Sequence, residues 1–179
     1  RAFRPAARRI FAAVLAAGCL GTIAARARGE DLVAVPGGPA AMRRLGLGPE
    51  VLEVANPRLV QVTACGYGSQ GPYADKPAYD DLIQGATALP ALMAQTADGV
   101  PRYVPNALVD RIVGLTAVGA ICASLVHRGR TGQGQRVDIP MFETMVPYVM
   151  GDHLYGETFV PPKGGFGYPR LLSPERRPY

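Results

Sequence analysis

The chain has 179 residues, of which 48% are apolar and 18% charged, a composition that excludes wholesale disorder and is large enough for one folded domain. Its net charge of +5 arises within residues 1–30, which hold six arginines and one glutamate, whereas residues 31–179 hold 13 basic and 13 acidic side chains. The rest of the chain therefore has no basic excess, and a nucleic-acid-binding protein is not expected.

Residues 10–25 form an apolar run behind a basic start. The pattern resembles a secretory signal, and Cys19 stands where a lipoprotein cleavage site would place it. We favour an ordinary alanine-rich helix, because a cleavable signal needs a genuine N-terminus and the chain begins with Arg1, so we expect the natural start to lie upstream. A membrane span needs about 20 apolar residues, and no membrane association is predicted.

The next elements are short. Residues 31–36 predict a buried strand, and helices are expected to begin at Pro39 and Pro49, since proline is favoured in the first helical turn. Residues 58–64 predict the clearest strand. The glycine loop, residues 66–73, follows it directly, and glycine lets backbone approach a ligand closely, although turn formation alone also explains such a loop.

The second half predicts a broken helix, a loop, a long apolar helix, a strand and a last helix. These elements span residues 79–95, 96–106, 109–127, 135–139 and 140–154 respectively. Interruptions are expected near Pro90 and Pro147. The long apolar helix should be buried on more than one side. Alternation of strand and helix predicts an α/β fold with a mostly parallel sheet, which binds ligands at the carboxyl ends of its strands.

Several familiar catalytic motifs are absent from the sequence. There is no Walker loop, no GxGxxG after a strand, no HExxH and no GxSxG. The two histidines make a serine-type triad improbable, and the three cysteines lack the spacing of zinc ligands. No metal site is therefore predicted.

Asp110 is the carboxylate of greatest interest, because it stands at or just inside the start of the long apolar helix. Aspartate is favoured as a helix N-cap, and this role would need no catalytic function. The same position suits chemistry, since a helix N-terminus stabilises an ionised carboxylate and carboxylates serve as covalent nucleophiles. Sequence position alone leaves both interpretations open.

Three ordered groups of residues resemble the class III CoA-transferases (the CaiB–BaiF family). They are residues 56–60 with 66–73 and 76–80, then Val109-Asp110 with the helix behind it, then residues 130–138. No single segment is specific, but the order and spacing match the family over roughly residues 31–179. The resemblance implies a Rossmann-like mostly parallel sheet with flanking helices, an incomplete part of the family's large domain.

The domain organisation follows from the same resemblance. Residues 1–30 are a poorly matched N-terminal helical segment, 31–155 a partial large domain, and 156–179 a linker towards a missing small domain. The full-length protein is expected to be a cytoplasmic, intertwined homodimer.

The resemblance also implies an enzyme that moves coenzyme A from an acyl-CoA to a carboxylic acid, with no permanently bound cofactor. Asp110 falls on the catalytic aspartate, which forms a mixed anhydride and then an aspartyl-CoA thioester. Gly66 and Gly68 would let the glycine loop close over the thioester. The residues that match CoA contacts of the family are Arg44, Pro77, Ala78, Tyr79, Asp80 and Met141.

Some features depart from the family pattern. Pro36-Gly37 stands where the family usually has an Asn-Phe pair.

CoA-thioester racemases and epimerases of the same fold use a His–Asp pair, but Tyr79 stands at the place of that histidine and is a poor base near neutral pH. We therefore favour the transferase. The non-enzymatic alternative is a non-catalytic truncated fragment or a membrane-anchored lipoprotein. The sequence does not identify the acids exchanged.

Overall fold

A computed structural model of the chain describes residues 32–36, 39–44, 46–176 and 178. The helix predicted over residues 10–25, and with it the whole segment 1–30, lies outside these residues. In the described part the strands are β1 (Leu32–Pro36), β2 (Val60–Cys65) and β3 (Gln135–Pro140). The α-helices there are α1 (Pro39–Arg44), α2 (Pro49–Ala55), α3 (Asp80–Ala86), α4 (Leu89–Gln95), α5 (Leu108–Thr131), α6 (Met141–His153) and α7 (Pro169–Leu172).

The three strands form one parallel sheet in the order β1-β2-β3, which confirms the predicted α/β fold. Leu32 pairs with Val60, and Val60 pairs with Gln135, so the three strands begin at one edge of the sheet. The glycine loop therefore leaves β2 at the same carboxyl edge at which α6 leaves β3. This is the edge where parallel sheets bind ligands.

The main core lies between the sheet and helices α3, α4, α5 and α6. Its nine buried members are Val60, Val62, Ile83, Leu92, Val109, Val113, Ile139, Met145 and Val149. Val60 and Val62 explain why β2 forms here, because β-branched side chains fit a buried pleated surface. Partly buried side chains from the end of the chain also reach this core, since Leu172 of α7 packs against it.

The expected break near Pro90 is present, and two other details of the sequence prediction need correction. The break falls at Ala88, which has a left-handed φ of 61°, while Pro90 sits in the first turn of α4, where a missing N–H is harmless. Pro147 lies inside α6 without ending it, so the helix loses one hydrogen bond only. Helix α5 continues to Thr131 and stops at Gly132, whose φ of 74° suits glycine.

Within the described residues, helix α5 is buried on one side only, whereas burial on more than one side was expected. Val109 and Val113 are buried against the sheet and its neighbouring helices, whereas Leu115 is 74% exposed and Val126 is 55% exposed. The elements that pack closely on α5 are β2, β3, α3 and α6, which meet it through the main core. An apolar sequence therefore does not by itself tell how many sides of a helix are covered.

Within the described residues, α5 is also the helix that is long and apolar enough to cross a membrane by length and composition. One such helix is weak support for a membrane protein. Its first turn carries Asp110 and Arg111, and one side of it packs on a sheet. The absence of a membrane partner stays a prediction.

Candidate active site

A cavity of about 570 Å³ lies beside the end of β3, where Met141 begins α6. Its walls come from residues 78–81 at the start of α3, residues 103–107 in the loop before α5, and Asp110. The fold thus brings five of the predicted site residues to one place. They are Ala78, Tyr79, Asp80, Asp110 and Met141.

Asp110 is the third residue of α5, inside its first turn. The residue in the N-cap position is Ala107, and no side chain caps the helix from there. The interpretation of Asp110 as an N-cap was therefore wrong. Its carboxylate lines the cavity instead.

Asp80 connects α3 to the start of α5. Its Oδ2 accepts a hydrogen bond from the backbone N–H of Asp110 at 3.0 Å. This N–H is one of the amides at a helix start that have no partner within the helix, and a carboxylate is favoured there by the helix dipole. The contact explains why two carboxyl groups of like charge stand close together in the cavity.

This pair shifts the acidity of Asp110. Desolvation raises the pKa of Asp110 above its ordinary value of 3.8, and the negative charge of Asp80 raises the pKa further. The expectation that the helix N-terminus favours the ionised form therefore captures only one of the opposing effects. A more basic carboxylate is a better nucleophile once it is ionised, so the direction suits covalent catalysis.

Gln84 is a site residue that the sequence analysis did not identify. Its side chain is fully buried, and its Nε2 donates to Asp80 Oδ1 at 2.6 Å while its Oε1 accepts from the backbone N–H of Val104 at 2.9 Å. One buried amide thus joins α3 to the loop of residues 103–107, and both segments contribute residues to the cavity lining. The four-residue spacing from Asp80 on a helix was the available signal.

The glycine loop stands behind the cavity wall. Gly66 and Gly68 are not among the lining residues. A Cβ placed on Gly66 would collide with the Cβ of Ala78, so the loop packs directly on a residue that does line the cavity. Gly68 donates its backbone N–H to Glu143 Oε1 at 2.7 Å, and Glu143 is a second residue that the sequence analysis did not identify.

Two predicted CoA contacts lie outside the cavity. Arg44 is exposed in the last turn of α1, and Pro77 is exposed immediately before Ala78. Their assignment to CoA stays a prediction.

Other side chains with reactive potential are placed elsewhere. His127 is exposed near the far end of α5, and His153 Nδ1 accepts a hydrogen bond from Tyr168 N–H at 3.3 Å, so neither histidine lines the cavity. Burial raises the pKa of Cys65 to about 11, which keeps its thiol protonated at neutral pH. The carboxylic acids that line the cavity are Asp80, Asp81 and Asp110, and the assignment of Asp110 as nucleophile stays a prediction.

Comparison with known proteins gives a consistent result. The family model "CoA-transferase family III" matches residues 27–165. An acyl-CoA transferase of Fusarium pseudograminearum is 41% identical over 108 residues, which are 60% of this chain and 24% of that protein. A succinate–glutarate CoA-transferase of Agrobacterium fabrum is 35% identical over 102 residues, 57% of this chain and 25% of that protein.

Solved structures resemble the fold as well. The crystal structure of a CaiB/BaiF family protein from Brucella suis matches with a TM-score of 0.64 and 29% identity, over 76% of this chain and 35% of that one. The chain therefore spans about a quarter of the curated relatives and about a third of this structure.

Proposed function

The chain belongs to CoA-transferase family III, and from this membership we propose that it is part of an enzyme that transfers coenzyme A from an acyl-CoA to a carboxylic acid. The observation that carries the proposal is the position of Asp110. This residue lies in the first turn of an apolar helix and lines a cavity of about 570 Å³. The relatives named as CoA-transferases support the same reaction class.

In the proposed reaction the Asp110 carboxylate attacks the thioester carbonyl of the donor. The C–S bond breaks, which gives a mixed anhydride on Asp110 and the CoA thiolate. The thiolate then attacks the aspartyl carbonyl, releases the donor acid and leaves an aspartyl-CoA thioester. Each step exchanges one activated acyl bond for another, so no nucleotide hydrolysis is required.

The second half of the reaction reverses these steps with the acceptor. The acceptor carboxylate attacks the aspartyl thioester and expels the thiolate, which attacks the acceptor's acyl carbon and restores Asp110. Water must be excluded throughout, because it would hydrolyse the anhydride. Ala78, Val104, Pro105 and Met141 give the cavity apolar walls that suit this need and the neutral arm of CoA. Arg44 is our candidate for its phosphates, since a guanidinium fork matches phosphate geometry.

The racemase alternative finds less support. A racemase of this fold would need a histidine at position 79, where Tyr79 stands and lines the cavity. Proton abstraction next to a thioester needs a base tuned near the working pH. Both histidines of the chain lie outside the cavity lining, which favours the transferase.

Assembly and location are further parts of the proposal. We expect the full-length protein to be a cytoplasmic homodimer, and the exposed apolar side of α5 supports burial against further protein, because soluble monomers rarely expose large apolar patches. Light scattering at a monomer mass would contradict the dimer.

The test of the proposed function is Asp110→Ala in the full-length protein, with Asp75→Ala, an exposed aspartate outside the cavity, as the matched control. We expect thioester exchange to fall by at least about a thousandfold, since removing a covalent nucleophile has effects of this size. Exchange is followed by the conversion of one acyl-CoA into another by mass spectrometry over a panel of donors and acceptor acids.

Hydroxylamine provides a second readout. It should convert the acylated enzyme into a hydroxamate on the peptide that contains Asp110, and the Asp110→Ala variant should give none. Undiminished exchange in that variant would show the proposed nucleophile to be wrong.

A further inference from the structure

We propose that Glu143 is a positioning residue for this reaction, whose carboxylate holds the glycine loop against the cavity wall. The inference rests on the proposed function, because it gives the loop a task in CoA transfer. Glu143 is the third residue of α6, whereas Gly68 lies in the loop after β2, 75 positions earlier in the chain.

The contact itself has the geometry of a strong hydrogen bond. Gly68 N–H donates to Glu143 Oε1 at 2.7 Å, which is typical of a bond to an ionised acceptor. The first turn of α6 favours a negative charge at Glu143 through the helix dipole. A Cβ on Gly68 would lie 2.5 Å from Glu143 Oε1, so glycine at position 68 lets the carboxylate reach the amide without a shift of its flexible side chain.

Two neighbouring contacts attach the loop to the same turn of α6. The Gly66 carbonyl accepts the backbone N–H of Phe142 at 3.0 Å, and the ring of Tyr67 lies 5.8 Å from the ring of Phe142. These attachments fix one end of the loop. Among them, the bond from Gly68 is the polar contact that a single side-chain substitution can remove.

The attachment reaches the cavity through two lining residues. Gly66 packs on Ala78, and Met141 immediately precedes Phe142 in the turn that holds the loop. Ala78 and Met141 both line the cavity. Release of the loop at Gly68 would therefore loosen the support behind Ala78 and admit water next to Asp110.

Entry of water has a distinct chemical result. A water oxygen attacks the anhydride carbonyl, the C–O bond of the anhydride breaks, and the products are the donor acid and the restored Asp110 carboxylate, with free CoA left over. Hydrolysis thus yields CoA thiol without a new acyl-CoA. The ratio of hydrolysis to transfer reports on the loop, whereas simple loss of folded protein lowers both rates together.

The experiment compares Glu143→Ala and Glu143→Gln in the full-length protein, with Asp152→Ala, an exposed acid of the same helix, as control. Amide hydrogen exchange at Gly68 is measured by mass spectrometry or NMR, and the hydrolysis-to-transfer ratio by thiol titration alongside acyl-CoA analysis. For Glu143→Ala we expect the exchange rate at Gly68 and the hydrolysis-to-transfer ratio each to rise by about tenfold. This is the size expected for loss of one hydrogen bond to a charged group at the surface. Glu143→Gln keeps an acceptor oxygen and should lie between this variant and the parent.

Each result has a defined meaning. Unchanged exchange at Gly68 in Glu143→Ala would overturn the role of Glu143 in holding the loop. Faster exchange with an unchanged ratio would overturn its role in the reaction. Failure of the unaltered protein to transfer CoA would overturn the proposed function, and with it the role of Glu143 in the reaction. This result is seen before any variant is made. Exchange at Gly68 would still decide whether Glu143 holds the loop.

Discussion

The cavity has two walls that are held in different ways. The fixed wall, residues 103–107, is joined to α3 by Gln84, a fully buried and neutral side chain. The glycine-loop wall, Ala78 with residues 66–73 behind it, is joined to α6 by Glu143, an exposed and charged one. Both connections bridge distant parts of the chain with one side chain, but they differ in burial and in charge.

Burial decides how easily each wall opens. A buried amide that loses its partners leaves unsatisfied groups that water cannot reach, which costs about 1–3 kcal/mol for each group. An exposed carboxylate that loses its partner is hydrated by water, so loss of the Glu143 bond should cost only about 1.5 kcal/mol. The fixed wall should therefore be rigid as long as the protein is folded, whereas the glycine-loop wall can move within the folded protein.

The largest expected effect breaks the fixed wall. Gln84→Ala removes the acceptor for Val104 N–H and the donor to Asp80, and leaves a cavity in the core. We expect a loss of about 3 kcal/mol in the free energy of unfolding, measured by urea denaturation. Gln95→Ala, at an exposed position of α4, should change it by less than about 0.5 kcal/mol. A loss below about 1 kcal/mol for Gln84→Ala would mean that this wall is no firmer than the other.

An intermediate effect is expected where the glycine loop meets its wall. Gly66→Ala forces a Cβ into Ala78, which should cost about 1–3 kcal/mol because neither backbone can yield freely. The double variant with Ala78→Gly restores the space, so the two changes should couple by at least about 1 kcal/mol. Gly151→Ala is the control, since a Cβ added at this helical position would meet nothing within 4 Å. Additive effects of the two changes would argue against this contact.

The smallest expected effect concerns the negative charge of Asp110, which lines the cavity between the two walls. Because the pKa of Asp110 is raised in the folded protein, the stability that this group contributes falls as pH rises from 3.8 through the folded pKa. Asp110→Asn should therefore melt slightly higher than the parent at neutral pH, and the gain should vanish below pH 3.8. Asp98 is the control, because its hydrogen bond with Arg102 lowers its pKa and the ionised form should not destabilise the folded protein. Asp98→Asn should therefore melt no higher than the parent at neutral pH. A lower melting temperature for Asp110→Asn at neutral pH would contradict the expectation that the ionised carboxylate of Asp110 destabilises the folded protein at that pH.

The sequence predicted the features that depend on residues close together in the chain. The β-branched residues of β2 and the apolar run of α5 act within one element, and the position of Asp110 follows from them, whereas the end of α5 at Gly132 was placed too early. The bonds of Gln84 to Val104 and of Glu143 to Gly68 join residues 20 and 75 positions apart, so no local pattern could reveal them. The exposed side of α5 was missed because apolarity indicates a tendency to be covered and carries no information about the neighbour that covers it.

The hydrogen bond between Asp80 and the amide of Asp110 has a consequence for the tetrahedral adducts of the proposed reaction. Each adduct carries an alkoxide oxygen that needs donors, and helix-start amides commonly serve as oxyanion holes. The amide closest to the nucleophile is already engaged by a carboxylate, so this oxygen must be stabilised by other groups. Among the side chains that line the cavity, the neutral donors are the hydroxyls of Tyr79 and Tyr103 and the amide of Asn106.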